Sequence, residues 1–380
     1  MRPTRTSRSS DTPAPTPPEI RVLVVDDSAV IRSIIADSVG NAPGMKVVGT
    51  AANGVQALEL FESLRPDVVT LDVQMPQMDG LATLDALFAR RPVPVVMVSS
   101  LTKLGAKITF DALDRGALDY VAKPDYGPQT KAALCEELPR KIRNVAGADV
   151  RRILEIRRQK NQQQQHRPRR PSRRVVATPS VELRDKCVAI GISTGGPPAL
   201  ATLFESLRPP MPPIVVVQHM PPSFTNPLAW RLDSLSELAI KEAAQGDTLV
   251  PNRVLIAPGG KHLQVRRQGT TIRAVLSDAE PVSGHKPSVD ALMHSVVAAY
   301  GRGCLGVIMT GMGHDGADGC RAIRQAGGYV LGQDEDSSAV YGMNKVAHAQ
   351  GHVNCQFALD EAASVITQQV RRLWLAGVRV

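Results

Sequence analysis

Aromatic residues are scarce in this chain of 380 residues: two Trp, five Tyr and six Phe make up 3% of it. Few positions exist on which single-stranded bases could stack, and no helix-turn-helix pattern emerges to read a duplex, so no specific nucleic-acid partner is expected. Cysteine is scarce too. Cys135, Cys187, Cys304, Cys320 and Cys355 form no CxxC pair, and Cys187 and Cys304 fall in or beside apolar runs, which reads as buried reduced thiols rather than disulfides or metal ligands. No apolar run reaches the roughly 18 to 20 residues that a membrane-spanning helix needs. Met1 to Pro18 is rich in Arg, Ser, Thr and Pro and lacks the apolar centre of a secretory signal. A soluble, cytoplasmic protein without membrane insertion is the expectation. HExxH and HxxEH are also absent, which ranks a zinc hydrolase low.

What is abundant is positive charge, but in one place. The net charge is +9 and the pI near 9.5, yet Arg140 to Arg174 alone holds 13 Lys or Arg against two acids, Asp149 and Glu155. The rest of the chain is therefore close to neutral. The same stretch contains NQQQQ and HRPRRPSRR and loses apolar periodicity after about Ile156, as a solvated tether does. The expected division is a disordered basic arm at 1–19, a first domain at 20–142, a basic linker at 143–184 and a second domain at 185–380. Helical spacing of Leu138, Ile142, Val145, Ile153 and Ile156 predicts a last helix of the first domain over Glu136–Arg158 that runs into the linker.

In the first domain the runs RVLVVDD, DVVTLDV, VPVVMVSS and ALDYVAKP alternate with helical stretches such as Ser28–Val39 and Gly54–Leu64. That pattern predicts a flavodoxin-like (βα)5 fold. Asp26, Asp27 and Asp72 lie at the ends of apolar runs and should meet Ser99 and Lys123 at one edge of a parallel sheet. Clustered carboxylates repel unless a hard cation such as Mg2+ neutralises them, so a divalent-ion site that could receive a phosphoryl group is expected there. Singly, each acid could be a helix cap.

The second domain again alternates strands and helices, with strands expected at Cys187–Ile192, Ile214–Gln218, Arg253–Ala257, Cys304–Met309 and Tyr329–Leu331. A doubly wound, mostly parallel α/β domain follows. Three of its runs lead into different polar residues: Ser193 in GISTGG, His219 in VVVQHM and Asp315 in IMTGMGHDG. A serine hydroxyl is a poor nucleophile near neutral pH and needs an imidazole to take its proton, and the imidazole needs a carboxylate to fix its tautomer. Backbone NH groups near Thr194 and Met312 are candidate oxyanion donors. A Ser in a Gly-rich turn can also be a cap, a His after a strand can be structural, and His314 beside Asp315 leaves metal binding open.

The motifs together carry a resemblance. DD at Asp26 and Asp27, LDVQMPQMDG around Asp72, MVSS and YVAKP resemble response-regulator receiver domains. GISTGGP, VVVQHM, IAPGGKHL, SGHKPSVD, TGMGHDGADG and AVYGMNKVA then make nearly the whole chain resemble the chemotaxis response-regulator protein-glutamate methylesterases of the CheB type. The resemblance implies that Asp72 accepts phosphate from a histidine kinase, that Asp26 and Asp27 help hold Mg2+, and that Ser99 and Lys123 contact the phosphoryl oxygens. It implies Tyr120 as the switching aromatic. It implies Ser193, His219 and Asp315 as a serine-hydrolase triad, with Thr194 and Met312 lining the site and no cofactor for the esterase step. The implied substrates are methyl-accepting chemoreceptors, whose glutamate methyl esters are hydrolysed and whose glutamines can be deamidated. Where the family commonly has Pro, this chain has Asn344, and its linker is longer than usual. Two further roles stay open on the residues: a regulator whose linker binds nucleic acid, and a noncatalytic adaptor.

Overall fold

A computed structural model describes residues 19–100, 102–124, 127–155 and 183–375. The basic arm before 19, and the linker between 155 and 183, lie outside the described residues. The N-terminal domain is built on β1 (Ile20–Val25), β2 (Met45–Ala51), β3 (Val68–Asp72), β4 (Val95–Ser99) and β5 (Asp119–Ala122). They form a parallel sheet in the order β2-β1-β3-β4-β5. Both faces are covered, so successive residues of one strand serve opposite cores. Val22 and Val24 pack with α1 (Ala29–Gly40) and α5 (Pro128–Val145), while Leu23 and Val25 pack with α2 (Gly54–Leu64), α3 (Gly80–Arg90) and α4 (Lys103–Arg115).

The helix predicted over Glu136–Arg158 is broken in two: helical backbone resumes over 150–155, and α5 itself starts earlier and stops sooner than the spacing predicts. It begins at Pro128, carries Pro139 inside, and ends at Val145; Ala146 turns extended and Gly147 takes φ +84°. Val145 and Val150 are nevertheless buried in the same core, so the packing of this domain continues past position 142.

The C-terminal domain has a seven-stranded parallel sheet. Its strands are β6 (Cys187–Ile192), β7 (Ile214–Gln218), β8 (Ala239–Glu242), β9 (Arg253–Ile256), β12 (Cys304–Ile308), β13 (Tyr329–Gln333) and β14 (Cys355–Phe357). The order β14-β13-β12-β6-β7-β9-β8 reverses direction between β12 and β6. An open α/β sheet builds its site at such a reversal, outside the carboxyl ends of the strands. One face carries α6 (Gly196–Ser206), α7 (Pro222–Leu235) and α11 (Ala362–Trp374). The other carries α8 (Val289–Tyr300), α9 (Ala317–Gln325), α10 (Met343–Ala349) and an antiparallel hairpin of β10 (His262–Gln268) and β11 (Thr271–Ser277). Cys187, Cys304 and Cys320 are free and buried. Among the described residues no helix is long and apolar enough to cross a membrane.

The two domains touch through α4, which packs on α6 and α7. Phe110 of α4 meets Phe224 of α7 edge-on at 6.4 Å, and Tyr120 of β5 lies 4.5 Å from the same ring. Phe224 is fully buried, which contributes about 1.5–3 kcal/mol for a ring of this kind. Arg231 of α7 lies over the Phe110 ring and pairs with Asp111 and Asp114 of α4.

Candidate active site

Ser193 directly follows β6, in a turn that only small residues permit. Gly195 takes φ +77°, and a Cβ on Gly196 would lie 1.8 Å from Gln218 Oε1. The space is used: Gln218 Nε2 donates to the Ser193 carbonyl at 3.0 Å and to that of His219 at 3.1 Å. From β12's side, Ser193 N donates to the Thr310 carbonyl and Thr310 Oγ1 to the Thr194 carbonyl, both at 3.0 Å. The turn is therefore gripped by the ends of both neighbouring strands, and α6 begins at Gly196 with prolines in its first turn.

His219 follows β7 and reaches Asp315 across the sheet end, with Nε2 and Oδ2 2.8 Å apart. Asp315 is buried and accepts from three further donors, Ser288 Oγ at 2.8 Å, Val289 N at 2.7 Å and Asp290 N at 3.0 Å. Burial works to raise its pKa, but His219 and the amides at the start of α8 outweigh it and hold the carboxyl down at about 2. An ionised Asp315 fixes the proton of His219 on Nε2. Nδ1 is then the basic nitrogen; it is buried and has no hydrogen-bond partner among the described residues. Among those residues no hydrogen bond joins it to Ser193, although both side chains line one cleft of about 310 Å³.

Of the other residues expected here, Thr194 is in the cleft and Met312 is not. Met312 has 39% exposure and lies outside the cleft lining. Its turn is close all the same, since a Cβ on Gly311 would lie 2.7 Å from Ser193 Cβ. Thr194 Oγ1 donates to Asp119 Oδ2 of the N-terminal domain at 2.6 Å. Asp119 Oδ1 in turn accepts from Lys141 Nζ at 2.9 Å and from Tyr120 N at 2.8 Å. The cleft thus has one wall from each domain, with Asp119, Tyr120, Arg140 and Lys141 facing Ser193 and His219.

The acidic residues of the N-terminal domain also converge. Carboxylate oxygens of Asp26, Asp27 and Asp72 lie within 4.8 Å of one another. Lys123 Nζ lies 2.9 Å from Asp26 and 2.7 Å from Asp72. One ammonium does not neutralise the group: burial, and after it the charge of Asp26, leave Asp72 raised to about 6 despite Lys123. Asp26 is raised by burial as well. Hard oxygen donors short of positive charge suit a hard divalent cation. Ser99 is buried at the end of β4, and Lys123 N donates to its carbonyl at 2.7 Å. Tyr120 is buried one strand over, with Lys141 Nζ 4.7 Å above its ring and its hydroxyl without a partner among the described residues.

Sequence reasoning missed several contributors. Gln218, beside His219, gave no signal of its own except its place in VVVQHM. His285 stacks on His219 with ring centres 3.8 Å apart and planes 9° apart. Burial first, and the neighbouring His219 second, push its pKa down to about 3, so it is a neutral plate against the base. Asn344 donates to the Gln333 carbonyl and to Ser338 Oγ, both at 2.8 Å, while Gln333 Oε1 accepts from Thr310 N at 2.9 Å. The Asn at this position joins α10 to the turn that holds Ser193, by bonds a Pro could not make.

Comparison with known proteins agrees with this architecture. The family model "Response regulator receiver domain" matches residues 22–134, and "CheB methylesterase" matches 188–366. The protein-glutamate methylesterase/protein-glutamine glutaminase of Syntrophotalea carbinolica is 44% identical over 91% of this chain and 96% of its own length. The protein of the same name from Sulfurimonas denitrificans is 43% identical over 88% of this chain and 94% of its own. The one from Archaeoglobus fulgidus is 42% identical over 92% and 97%. The chain therefore belongs to the protein-glutamate methylesterase/protein-glutamine glutaminase family, with a receiver domain preceding the methylesterase domain.

Proposed function

We propose that this protein is a phosphorylation-gated serine hydrolase that converts glutamate methyl esters on chemoreceptors to glutamate and methanol, and receptor glutamines to glutamate and ammonia, in sensory adaptation. The observation that carries the reading is His219, set in one cleft with Ser193 and held through Nε2 by the buried Asp315, with an Nδ1 that has no hydrogen-bond partner among the described residues. Ser193 Oγ attacks the ester carbonyl while His219 Nδ1 takes its proton, and the imidazolium is stabilised by the Asp315 carboxylate. The backbone NH of Thr194, in the cleft, is the first donor for the oxyanion, and that of Met312, on the turn whose Gly311 closes on Ser193, is the second. Methanol leaves with the proton from Nδ1, and water, deprotonated by the same nitrogen, releases the glutamate and regenerates Ser193. Deamidation follows the same path with ammonia leaving.

The receiver supplies the gate. Its Asp119, Tyr120 and Lys141 sit over the cleft a bulky receptor helix must enter, and Thr194 is tied to Asp119. Asp72 is the phosphoacceptor from a histidine kinase. Asp26, Asp27 and Asp72 would hold Mg2+, which supplies positive charge to the phosphoryl oxygens. Ser99 and Lys123 contact those oxygens too, and both adjoin β5, which carries Asp119 and Tyr120. A phosphoryl group that favours an altered β5 therefore shifts the protein away from the docked state.

A serine-directed fluorophosphonate tests the chemistry. It is expected to attach to Ser193, and His219→Ala to slow that labelling by about 1,000-fold. Labelling at another residue, or labelling undiminished in His219→Ala, would refute the assignment.

A further inference from the structure

Asp290 is a buried carboxylate that this chemistry leaves unused. It lies in the first turn of α8, 5% exposed. Its Oδ1 accepts from Gly316 N and Gly319 N at the start of α9, both at 2.8 Å, and its Oδ2 accepts from Ser283 Oγ at 2.9 Å. Asp315, just before α9, does the converse at the start of α8. Each carboxylate satisfies the unpaired amides of the other's helix, and each places its charge at the positive end of a helix dipole. The two helices are pressed together: a Cβ on Gly319 would lie 2.6 Å from Met293 Cβ, and one on Gly316 2.7 Å from Val289 Cγ1.

We infer that Asp290 is a positioning residue for the hydrolase: it clamps the turn at Gly316 so that Asp315 Oδ2 meets His219 Nε2, and its charge joins Asp315 in stabilising the imidazolium. The inference rests on the triad reading above. Without the clamp, the amides of Gly316 and Gly319 are buried and unpaired, which drives the turn to relax and carry Asp315 with it. The charged and titratable groups that face His219 are Asp315 before α9, His285 and Lys286 before α8 and, across the cleft from the receiver, Asp119, Glu137, Arg140 and Lys141; His314 acts on His285. Asp290 faces Asp315, and burial first, then the Asp315 charge, raise its pKa against the pull of the Gly319 amide.

The test uses the full chain with acetyl phosphate, Mg2+ and a methylated chemoreceptor fragment. Asp290→Ala is expected to lower kcat about 100-fold with KM within about twofold. Asp290→Asn restores an oxygen for the two amides and should recover about tenfold of that loss. It also removes a negative charge, so His219 is protonated less readily, and the acid limb of kcat/KM moves to lower pH by about half a unit. A bracket with no electrostatic part in the site leaves that limb where the wild type has it. An unmoved limb in Asp290→Asn, or an Asp290→Ala variant within about threefold of wild type, would overturn the inference. If Asp290→Ala does not melt cooperatively, the Asn profile decides. Ser193→Ala run in parallel separates the two readings: release surviving it sinks the triad, whereas its loss beside a fully active Asp290→Ala sinks only the clamp.

Discussion

Asp315→Asn lowers kcat about 10,000-fold at neutral pH, as loss of the orienting carboxylate does in hydrolases of this kind. The contacts explain why a nearly isosteric amide fails. Asp315 accepts from four donors, Ser288 Oγ, Val289 N, Asp290 N and His219 Nε2. An amide has one oxygen, so either orientation points an NH2 at groups that also donate. If the oxygen keeps Ser288 and Asp290, the NH2 faces Val289 N and His219, and the imidazole is driven to the tautomer with its proton on Nδ1. That tautomer cannot take a proton from Ser193. The carboxylate's hold on the imidazolium is lost in the same step. A variant retaining a tenth or more of wild-type kcat, with an unchanged melting profile, would mean that Asp315 only builds the fold.

Asp119→Ala acts in the opposite sense and raises the unstimulated rate. The contact from Thr194 Oγ1 to Asp119 Oδ2 is a buried hydrogen bond to an ionisable group at the mouth of the cleft. Bonds to charged groups contribute about 1.5–3 kcal/mol, and 1.4 kcal/mol is about tenfold in an equilibrium. Its loss should shift the docked receiver toward release by about tenfold or more, with basal turnover following. Lys141 keeps Glu137 as a partner at 3.0 Å, so the variant does not leave a bare buried ammonium. The Phe110–Phe224 contact and the pairs made by Arg231 remain, so undocking stays incomplete and phosphorylation of Asp72 still adds to the rate. A basal rate equal to wild type would show that this bond does not restrain the gate.

Much of this was legible in residue order alone, because chemistry-bearing residues at strand ends converge by topology. Ser193, His219 and Asp315 each follow a parallel strand, and β6 lies next to both β7 and β12. Asp26, Asp72, Ser99 and Lys123 meet for the same reason. What stayed hidden is what depends on the angle between elements. Nothing in SGHKPSVD announces that Ser288 and Asp290 reach residues of the Gly316 turn, since that requires α8 and α9 to start side by side. His285 is an ordinary loop histidine until its ring is found flat on His219. The edge strands β8 and β14 escaped notice because they are four and three residues long and partly polar. The break after α5 was not legible because apolar spacing continues across it: the backbone turns at Gly147, with φ +84°, and residues 150–155 form a separate helical segment. The family motif singled out Tyr120, but nothing in it announced that this ring is buried against Phe224 of the other domain.

The most direct test of a gated serine esterase is methanol release from a methylated chemoreceptor cytoplasmic fragment. It compares wild type with Ser193→Ala, each with and without acetyl phosphate and Mg2+. Release by wild type that rises with the phosphodonor, and its absence from Ser193→Ala under both conditions, is the expected result. Release that persists without Ser193, or that ignores the phosphodonor in wild type, would contradict the nucleophile in the first case and the gate in the second.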